Sequence, residues 1–346
     1  MTAVEPRQEP VVAVHFDGRA LRALDQTLLP WEERDLVLDS AAAVAEAIRR
    51  LAIRGAPLIG VAAAYGVVVE VQREPTAAAL ERACNILRDA RPTAVNLAYA
   101  VERVHAAAAG AAADELLGTA LEEARAIEAE ELAASERMAA SGAQLLSGAR
   151  RLLTHCNTGA LAAPGRGTAL AVIAELGVRE GVETVFATES RPLLQGARLT
   201  VYELRRFDLP HALIVDSAAA GLIAAGSIDA VVVGCDRVAA NGDVANKVGT
   251  YGLALAAREA GIPFVVAGPT STIDPGCASG AEIAIEERDP EEVRRAASVD
   301  VTVPGTPCRN PAFDVTPAKL ITALVTDRGI AQPVNTATVR AVLEGP

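Results

Sequence analysis

Two residues in this chain combine reactive side chains with positions that suit a ligand site. Cys156 follows the short apolar run of residues 151–155, and Asp236 follows the run of residues 230–233. In a parallel sheet, ligands lie beyond the carboxyl ends of the strands near the switch in strand order, and both residues are expected there. A shielded Asp236 could stay protonated and act as an acid, while Cys156 could serve as a base, a nucleophile or a hydrogen-bonding partner. The alternatives are a thiol that only packs and a carboxylate that only caps a turn.

Cationic residues beside predicted helix starts indicate where a phosphate could bind. Residues 54–57 and 91–93 each place an arginine just ahead of a helix start that a proline marks. Residues 246–247, Asn-Lys, fall in the first turn of a helix predicted over residues 245–259. Backbone N–H groups at a helix start attract an anion, and an arginine adds a bidentate fork. The alternatives are loop ion pairs for the two arginines and a solvated helix position for the lysine.

The sequence carries no complete cofactor or metal motif. The nearest match to a dinucleotide fingerprint, Gly165-Arg166-Gly167, lacks the third glycine, and there is no G-x-x-x-x-G-K-[ST] phosphate loop. The four histidines and five cysteines are scattered, without metal-ligand spacing or a C-x-x-C pair. The sequence therefore predicts chemistry that uses no cofactor and no metal.

The composition excludes several classes of function. The 346 residues include 32 Lys and Arg against 44 Asp and Glu, a net charge of −12, which disfavours nucleic-acid and anionic-membrane partners. Aromatic residues are only 3%, which leaves little for base stacking. Neither a signal peptide nor a run of about 18 apolar residues is present. We therefore expect a cytoplasmic protein that binds a small molecule, without nucleic-acid or membrane partners.

Residues 1–148 are predicted to form a mainly helical domain. A β-like segment at residues 11–16, followed by an Asp-Gly turn, indicates a small β-hairpin. Ser40, Pro57 and Pro92 are helix start signals. The Ala-rich helical segments are residues 41–51, 57–71, 76–89, 92–109 and 114–147.

Residues 149–346 are predicted to form a Rossmann-like domain, a parallel sheet flanked by helices. Short apolar runs alternate there with helical patterns, which is typical of βαβ units. The predicted strands are residues 151–155, 184–187, 212–215, 230–233, 264–267 and 282–285. The predicted helices are residues 168–176, 194–204, 217–225, 245–259, 290–297 and 317–326. The fold class is therefore α/β, with a helical N-terminal part that carries a small hairpin region.

Several motifs, in order along the chain, resemble those of the S-methyl-5-thioribose-1-phosphate isomerase family, which is related to the alpha, beta and delta subunits of initiation factor 2B. The resemblance extends from about residue 12 to residue 329. The motifs are residues 54–57 (RGAP), 91–97 (RPTAVNL), 154–159 (THCNTG), 191–198 (RPLLQGAR), 234–247 (GCDRVAANGDVANK), 269–274 (PTSTID) and 310–317 (NPAFDVTP).

The resemblance implies an aldose–ketose isomerase of methionine salvage that converts S-methyl-5-thioribose 1-phosphate to S-methyl-5-thioribulose 1-phosphate. It also implies a smaller helical domain, a Rossmann-like domain and pairing as a homodimer. By motif, Cys156 and Asp236 are the catalytic pair, with Asp236 as the proton donor. The substrate-binding positions, also by motif, are Arg54, Gly55, Ala56, Arg91, Gln195, Asn246 and Lys247.

Departures from the family pattern leave the substrate and the route open. Cys235 stands where Ala is commoner, and Ser190 stands where Thr is commoner. Such changes would reshape the pocket around the sugar's 5-position, so 5-deoxyribose 1-phosphate is an alternative substrate. Ribose 1,5-bisphosphate would need additional cations, and an initiation-factor-2B-like regulator would not be expected to keep Cys156 and Asp236. A proton route with the Cys156 thiolate as base and a hydride route in a dry pocket remain alternatives.

Overall fold

The computed structural model describes residues 10–91, 95–297 and 299–345. These residues form two compact units. Unit 1 contains residues 11–91, 95–135 and 160–167, and unit 2 contains the rest of the described chain. The predicted domain boundary at residue 148 stays a prediction.

Unit 1 begins with a three-stranded antiparallel sheet. Its strands are β1 (Val14–Phe16), β2 (Leu21–Leu24) and β3 (Asp35–Leu38). β1 and β2 are the predicted hairpin, and the Asp17 carboxylate closes its turn by accepting two backbone N–H bonds at 2.9 Å. β3 was not predicted, because its residues are mostly exposed and show little alternation between apolar and polar positions.

The remainder of unit 1 is helical, as the sequence predicts. The helices are α1 (Ala41–Arg49), α2 (Ala56–Arg73), α3 (Ala77–Arg88), α4 (Val95–Ala108) and α5 (Leu116–Leu145), of which α5 continues into unit 2. Ser40 caps α1 as predicted, its hydroxyl accepting from Ala43 N at 3.3 Å. α2 is buried on nearly all sides, and at Gly60 an added Cβ would lie 2.9 Å from the Asn96 carbonyl oxygen of α4. The predicted helix start at Pro92 lies outside the described residues.

Unit 2 alternates strands with helices. In chain order its elements are β4 (Arg151–Thr154), α6 (Ala169–Glu180), β5 (Thr184–Thr188), α7 (Val201–Arg206), β6 (His211–Ile214), α8 (Ala219–Ala224), β7 (Ala230–Val233), β8 (Arg237–Ala239), β9 (Val244–Lys247), α9 (Thr250–Ala260), β10 (Phe264–Ala267), β11 (Ile273–Asp274), α10 (Glu291–Arg294), β12 (Arg295–Ala296), β13 (Val299–Asp300), β14 (Phe313–Thr316), β15 (Ala323–Thr326), β16 (Gly329–Ala331) and α11 (Thr336–Glu344).

The main sheet of unit 2 has the strand order β16-β15-β10-β7-β4-β5-β6. All neighbouring pairs are parallel except β15 and β16. The chain builds outward from β4 through β5 and β6, then returns to the other side of β4 with β7. The switch point of the sheet therefore lies between β4 and β7. The predicted fold class, α/β with a helical N-terminal part and a Rossmann-like sheet, is confirmed.

Several predicted elements in unit 2 are wrong. The helix predicted over residues 245–259 begins as β9, because Val244–Lys247 pairs with β8 on one side and β14 on the other. The strand predicted at residues 282–285 follows a 3₁₀ turn at Gly280–Glu282 and is not a strand. The helix predicted at residues 317–326 is a 3₁₀ turn followed by β15, because a short apolar run does not distinguish a helix from a buried strand.

The C-terminal part of unit 2 departs from the predicted helices in two further places. The helix predicted at residues 290–297 is the single turn α10 and continues as strand β12. α11 was not predicted, although Asn335 supplies a full capping box, accepting from Thr338 N at 3.1 Å while its own N–H donates to Thr338 Oγ1 at 3.1 Å. None of the helices in the described part of the chain is long and apolar enough to cross a membrane.

Candidate functional site

Cys156 and Asp236 follow two neighbouring strands and lie at the same end of the sheet. Cys156 lies two residues beyond β4, and Asp236 lies three residues beyond β7; both are half-buried. β4 and β7 are parallel partners, so their carboxyl ends open into the crevice at the switch point. The two loops touch, since a Cβ added to Gly234 would lie 2.8 Å from Thr158 Cγ2. Both residues therefore follow strands that are neighbours in the sheet, and their role as a catalytic pair stays a prediction.

The backbone of Cys156 is held by hydroxyl groups from both sides. Its N–H donates to Ser190 Oγ at 2.8 Å, and its carbonyl accepts from Thr200 Oγ1 at 2.6 Å. These bonds hold Cys156 at a φ of 61°, in the left-handed region that non-glycine residues seldom adopt. A non-glycine residue in this region is a form of backbone strain that concentrates at functional sites.

The loop after β5 supplies the Ser190 hydroxyl and is itself fixed by Asp216. Both oxygens of the Asp216 carboxylate accept backbone N–H bonds, from Ser190 and from Arg191, each at 2.7 Å. Asp216 follows β6, so the loops after two adjacent strands form one rigid rim of the crevice.

Gln195 lies directly before a π-helical turn, Gly196–Thr200, that leads into α7. Its side chain is buried, and its Oε1 has no hydrogen-bond partner among the residues that the structure describes. A buried amide oxygen in this condition is an acceptor available to a ligand hydroxyl. Gly196 is required at the turn, since an added Cβ would lie 1.7 Å from the Thr188 carbonyl oxygen.

His155 connects the end of β4 to the end of β9. Its Nδ1 lies 2.6 Å from Thr188 Oγ1, and its Nε2 lies 2.9 Å from the carbonyl oxygen of Val248. The ring is only 2% exposed, and burial lowers the pKa of His155, so the imidazole is neutral. Because a carbonyl can only accept, Nε2 carries the proton.

Asn246 and Lys247 lie on strand β9, which corrects the helical placement predicted for them. Both side chains are buried, so the alternative of a solvated lysine is also wrong. Asn246 Nδ2 donates to Thr250 Oγ1 at 2.9 Å, and Lys247 Nζ lies 5.5 Å from the centre of the Phe313 ring. The aromatic face attracts the ammonium, and burial strengthens the attraction between such a charge and an anion.

Asp314 was not among the predicted site residues. Its carboxylate lies at the start of the helix, now α9, near which the sequence predicted that a phosphate could bind. Its carboxylate accepts from Gly249 N at 2.7 Å and from Tyr251 N at 3.1 Å, at the beginning of α9. Burial raises the pKa of Asp314, against the two backbone N–H bonds, which lower it. Two backbone N–H groups at the start of α9 are thus already bonded to this carboxylate.

The other four predicted binding positions belong to unit 1. Arg54 is 8% exposed, Gly55 has a φ of 95° and is the N-cap of α2, and Ala56 is its first helical residue. A Cβ on Gly55 would lie 2.4 Å from Ala162 Cα, so only glycine fits. No side chain caps the start of α2, but Leu58 N already donates to the Ala162 carbonyl at 3.1 Å and Pro57 has no N–H, which leaves Gly55 and Ala56 as the amides that an anion could contact. Arg91 is half-buried at the edge of the described segment.

Within residues 10–91, 95–297 and 299–345, no group of three or more His, Cys, Asp or Glu side chains is arranged to hold a metal ion. The expectation of chemistry without a metal or cofactor stays a prediction.

The fold and the site together define a class: a Rossmann-like α/β protein whose strained cysteine and neighbouring aspartate lie at the switch point of a parallel sheet. Residues 52–333 match the model of the initiation factor 2 subunit family. The chain belongs to this family.

Similar proteins within this family carry isomerase names. A methylthioribose-1-phosphate isomerase of Anaeromyxobacter sp. (strain K) is 51% identical over 338 residues, which cover 97% of each chain. A 5-deoxyribose 1-phosphate isomerase of Moorella thermoacetica is 45% identical over 349 residues, covering 97% of this chain and 99% of the relative. The crystal structure of 5-methylthioribose 1-phosphate isomerase from Pyrococcus horikoshii OT3 (form II) has a TM-score of 0.89 at 39% identity and covers 99% of this chain and 98% of that one.

Proposed function

We propose that this chain is an aldose–ketose isomerase that converts S-methyl-5-thioribose 1-phosphate to S-methyl-5-thioribulose 1-phosphate, a step of methionine salvage. The observation that carries the proposal is that Cys156 and Asp236 follow the neighbouring parallel strands β4 and β7, in a chain that resembles a relative of that name over 97% of its length. The reading as a non-catalytic regulator is disfavoured because this reactive pair is retained.

The phosphate on the anomeric carbon prevents simple ring opening to a free aldehyde, so the reaction needs an acid at the ring oxygen. We assign that role to Asp236, which donates a proton as the bond between C1 and the ring oxygen breaks. In the proton route, the Cys156 thiolate takes the proton from C2 to give an enol phosphate. C1 then takes up that proton while the C2 hydroxyl loses its own to Asp236, which completes the ketose and restores the acid. In the hydride route, hydrogen moves with its electron pair from C2 to C1, and the C2 hydroxyl then loses its proton. Both routes conserve atoms and electrons overall.

We propose that the seven motif positions bind the substrate. Lys247 and the two arginines supply positive charge for the phosphate, which the chain as a whole, at −12, does not. Gln195 and Asn246 offer amide groups to the sugar hydroxyls. The remaining two positions, Gly55 and Ala56, present backbone amides at the start of α2.

A second candidate substrate is 5-deoxyribose 1-phosphate, favoured by the Moorella relative of that name. It differs from the first only at C5, so both substrates would undergo the same chemistry on C1 and C2. Ribose 1,5-bisphosphate would place a second phosphate at that position and requires further cations.

The test compares turnover of these three pentose phosphates by the purified chain. We expect the highest kcat/KM with S-methyl-5-thioribose 1-phosphate, and no loss of rate after dialysis against a chelator. Asp236→Asn should lower kcat by about 10³-fold, within the range for removal of a general acid, while calorimetry still detects substrate binding. The exposed Asp114 gives the matched control, Asp114→Asn, with unchanged kcat. Near-normal turnover by Asp236→Asn would refute the assigned role, and no turnover of any substrate would refute the function.

We also propose a cytoplasmic homodimer that binds neither nucleic acid nor membranes. The family resemblance supports the dimer, and the acidic charge supports the absence of polyanionic partners. Light scattering should give twice the mass of one chain; a monomer at micromolar concentration would contradict the dimer.

A further inference from the structure

A continuous chain of hydrogen bonds runs from the backbone of Cys156 to the backbone of Val248. Cys156 N lies 2.8 Å from Ser190 Oγ, which lies 3.2 Å from Thr188 Oγ1. Thr188 Oγ1 lies 2.6 Å from His155 Nδ1, and His155 Nε2 lies 2.9 Å from the Val248 carbonyl oxygen. The three side chains are at most 2% exposed, so water does not compete for these bonds. We call them the Ser190–Thr188–His155 chain.

The two ends of this chain fix the direction of its bonds. The N–H of Cys156 can only donate, and the carbonyl of Val248 can only accept. His155 Nε2 therefore donates to Val248, and the neutral ring's Nδ1 accepts from the Thr188 hydroxyl. Thr188 Oγ1 can in turn accept from the Ser190 hydroxyl, which also has the Thr188 carbonyl within 3.3 Å. Whichever of these two Thr188 oxygens accepts the bond from the Ser190 hydroxyl, Ser190 Oγ can still accept the bond from the Cys156 N–H.

The Ser190–Thr188–His155 chain joins two segments that carry predicted site residues, the loop after β4 and the end of β9. At one end it holds the left-handed turn of Cys156, and at the other it reaches the residue directly after Lys247. Gly249 makes that contact possible, because an added Cβ there would lie 3.1 Å from His155 Nε2. Cooperative polarisation along buried hydrogen bonds strengthens each link.

We propose that His155, Thr188 and Ser190 are positioning residues, which hold the Cys156 turn in its left-handed conformation and fix it relative to the end of β9. This inference deepens the proposed function and rests on it, since it requires Cys156 to act on the substrate. None of the three side chains needs to contact the reacting atoms. Displacement of a reacting group by about 1 Å is enough to lower a rate by about 10²-fold.

The first experiment separates hydroxyl chemistry from shape at Thr188. Thr188→Val keeps the shape and removes the hydroxyl, and we expect kcat to fall by 10- to 100-fold, as for a displaced reacting group, with KM changed by less than about threefold. Thr188→Ser and Ser190→Thr keep the hydroxyls and should retain kcat within about threefold. If Thr188→Val does not fold, Ser190→Ala removes the neighbouring link and is expected to act in the same way.

Thr316→Val is the matched control. Thr316 is also a fully buried strand threonine, but its Oγ1 has no hydrogen-bond partner within the described part of the chain. Loss of this hydroxyl should leave kcat unchanged. Equal kcat values for Thr188→Val and the wild type, or equal losses in Thr188→Val and Thr188→Ser, would overturn the inference.

A second readout does not depend on activity. In protein labelled with ¹⁵N-histidine, His155 should show a protonated Nε2 and an unprotonated, hydrogen-bonded Nδ1, and Thr188→Val should shift the Nδ1 resonance. A His155 ring protonated at Nδ1 would contradict the chain whether or not the protein is active. Wild-type protein that shows the expected tautomer but turns over no substrate would refute the proposed function while leaving the hydrogen bonds in place.

Discussion

Cys235 and Asp236 are adjacent residues with different surroundings. Cys235 Sγ lies 3.3 Å from Thr272 Oγ1, and a Cβ on Gly268 would lie 2.2 Å from the same sulfur. Burial of the thiol raises the pKa of Cys235 to about 12. Cys235 is therefore a packing residue, even though it lies next to the proposed proton donor.

This pKa predicts that Cys235 resists alkylation. At pH 8 its thiolate fraction is about 10⁻⁴, because a thiol with a pKa near 12 is almost fully protonated there. Iodoacetamide labelling followed by peptide mass spectrometry should show Cys235 reacting far more slowly than Cys308. Cys235→Ala should keep kcat within about threefold. Labelling of Cys235 as fast as Cys308 would contradict its assigned environment.

At the residue scale, the sequence predicted the positions of Cys156 and Asp236 at strand ends, because each comes within three residues after a short apolar run typical of a buried strand. It could not identify the Ser190–Thr188–His155 chain. Its members come from the ends of two strands and the loop between β5 and α7, and a single histidine carries no spacing signal. Only the sheet register brings them together.

At the scale of the secondary-structure elements, the π-helical turn at Gly196–Thr200 packs tightly against the end of β5. It brings Thr200 onto the Cys156 carbonyl and brings Gly196 against the last residue of β5. The extra residue of a π turn is often associated with functional sites. In this protein the π turn places the Thr200 hydroxyl in hydrogen-bond contact with the backbone carbonyl of Cys156.

Gly196→Ala should strongly destabilise the protein, because its Cβ would lie 1.7 Å from the Thr188 carbonyl oxygen and the backbone cannot easily move away. We expect the free energy of unfolding in urea to fall by about 3 kcal/mol, the upper end for overpacking. Gly221→Ala is the control: no heavy atom of the described chain, outside its own chain neighbours and local helix backbone, lies within 4 Å of the added Cβ. It should stabilise α8 by up to about 1 kcal/mol. Equal midpoints for the two variants would contradict this account.

Some of the elements that sequence reasoning missed depend on pairing with distant segments. Val244–Lys247 lies in an Ala-containing segment that continues into α9, and only its partners β8 and β14 make it a strand. By contrast, Ala230–Val233 and Phe264–Ala267 are central strands with every residue buried, and their composition alone identifies them.

For the molecule as a whole, stability at acid pH depends on charged groups at the beginnings of β4 and β7, at the end of the sheet opposite the candidate site. The Asp229 carboxylate accepts from the backbone N–H groups of Arg150 and Arg151 at 3.0 and 2.7 Å, and it pairs with the Arg151 guanidinium. Burial raises the pKa of Asp229, but the hydrogen bonds from Arg151 and the two amides outweigh it and lower the pKa overall. This joins the beginnings of β4 and β7.

A lowered pKa means that the folded state binds the Asp229 proton less tightly than the unfolded state does. Its contribution to stability is therefore present above the ordinary value of 3.8 and is lost as the pH falls through the lower folded-state pKa. Asp229→Asn should reduce the free energy of unfolding by about 1–3 kcal/mol at pH 7, typical of a charged hydrogen-bonding group, and by less below pH 4. Asp300→Asn, in an exposed pair with Arg295, should change it by under about 1 kcal/mol. A difference for Asp229→Asn that stays constant with pH would exclude this role.

At this scale the sequence predicted most of the architecture. The sequence changes near residue 148 from helical periodicity to alternating strand and helix patterns, but the order of the strands in the sheet could not be predicted from it. The segment that returns to unit 1 is not visible, because residues 160–167 carry no pattern that separates them from an ordinary loop.

That returning segment has a consequence for biosynthesis. Leu161 accepts a 2.8 Å hydrogen bond from the Gln26 side chain, and the Ala162 carbonyl accepts from Leu58 N at 3.1 Å. Unit 1 thus lacks part of its own interior until residue 167 has left the ribosome, after the first strand of the second sheet has been translated. The amino-terminal helices cannot complete their packing before this segment is available. A nascent chain stalled earlier would expose the apolar surface around Gly55.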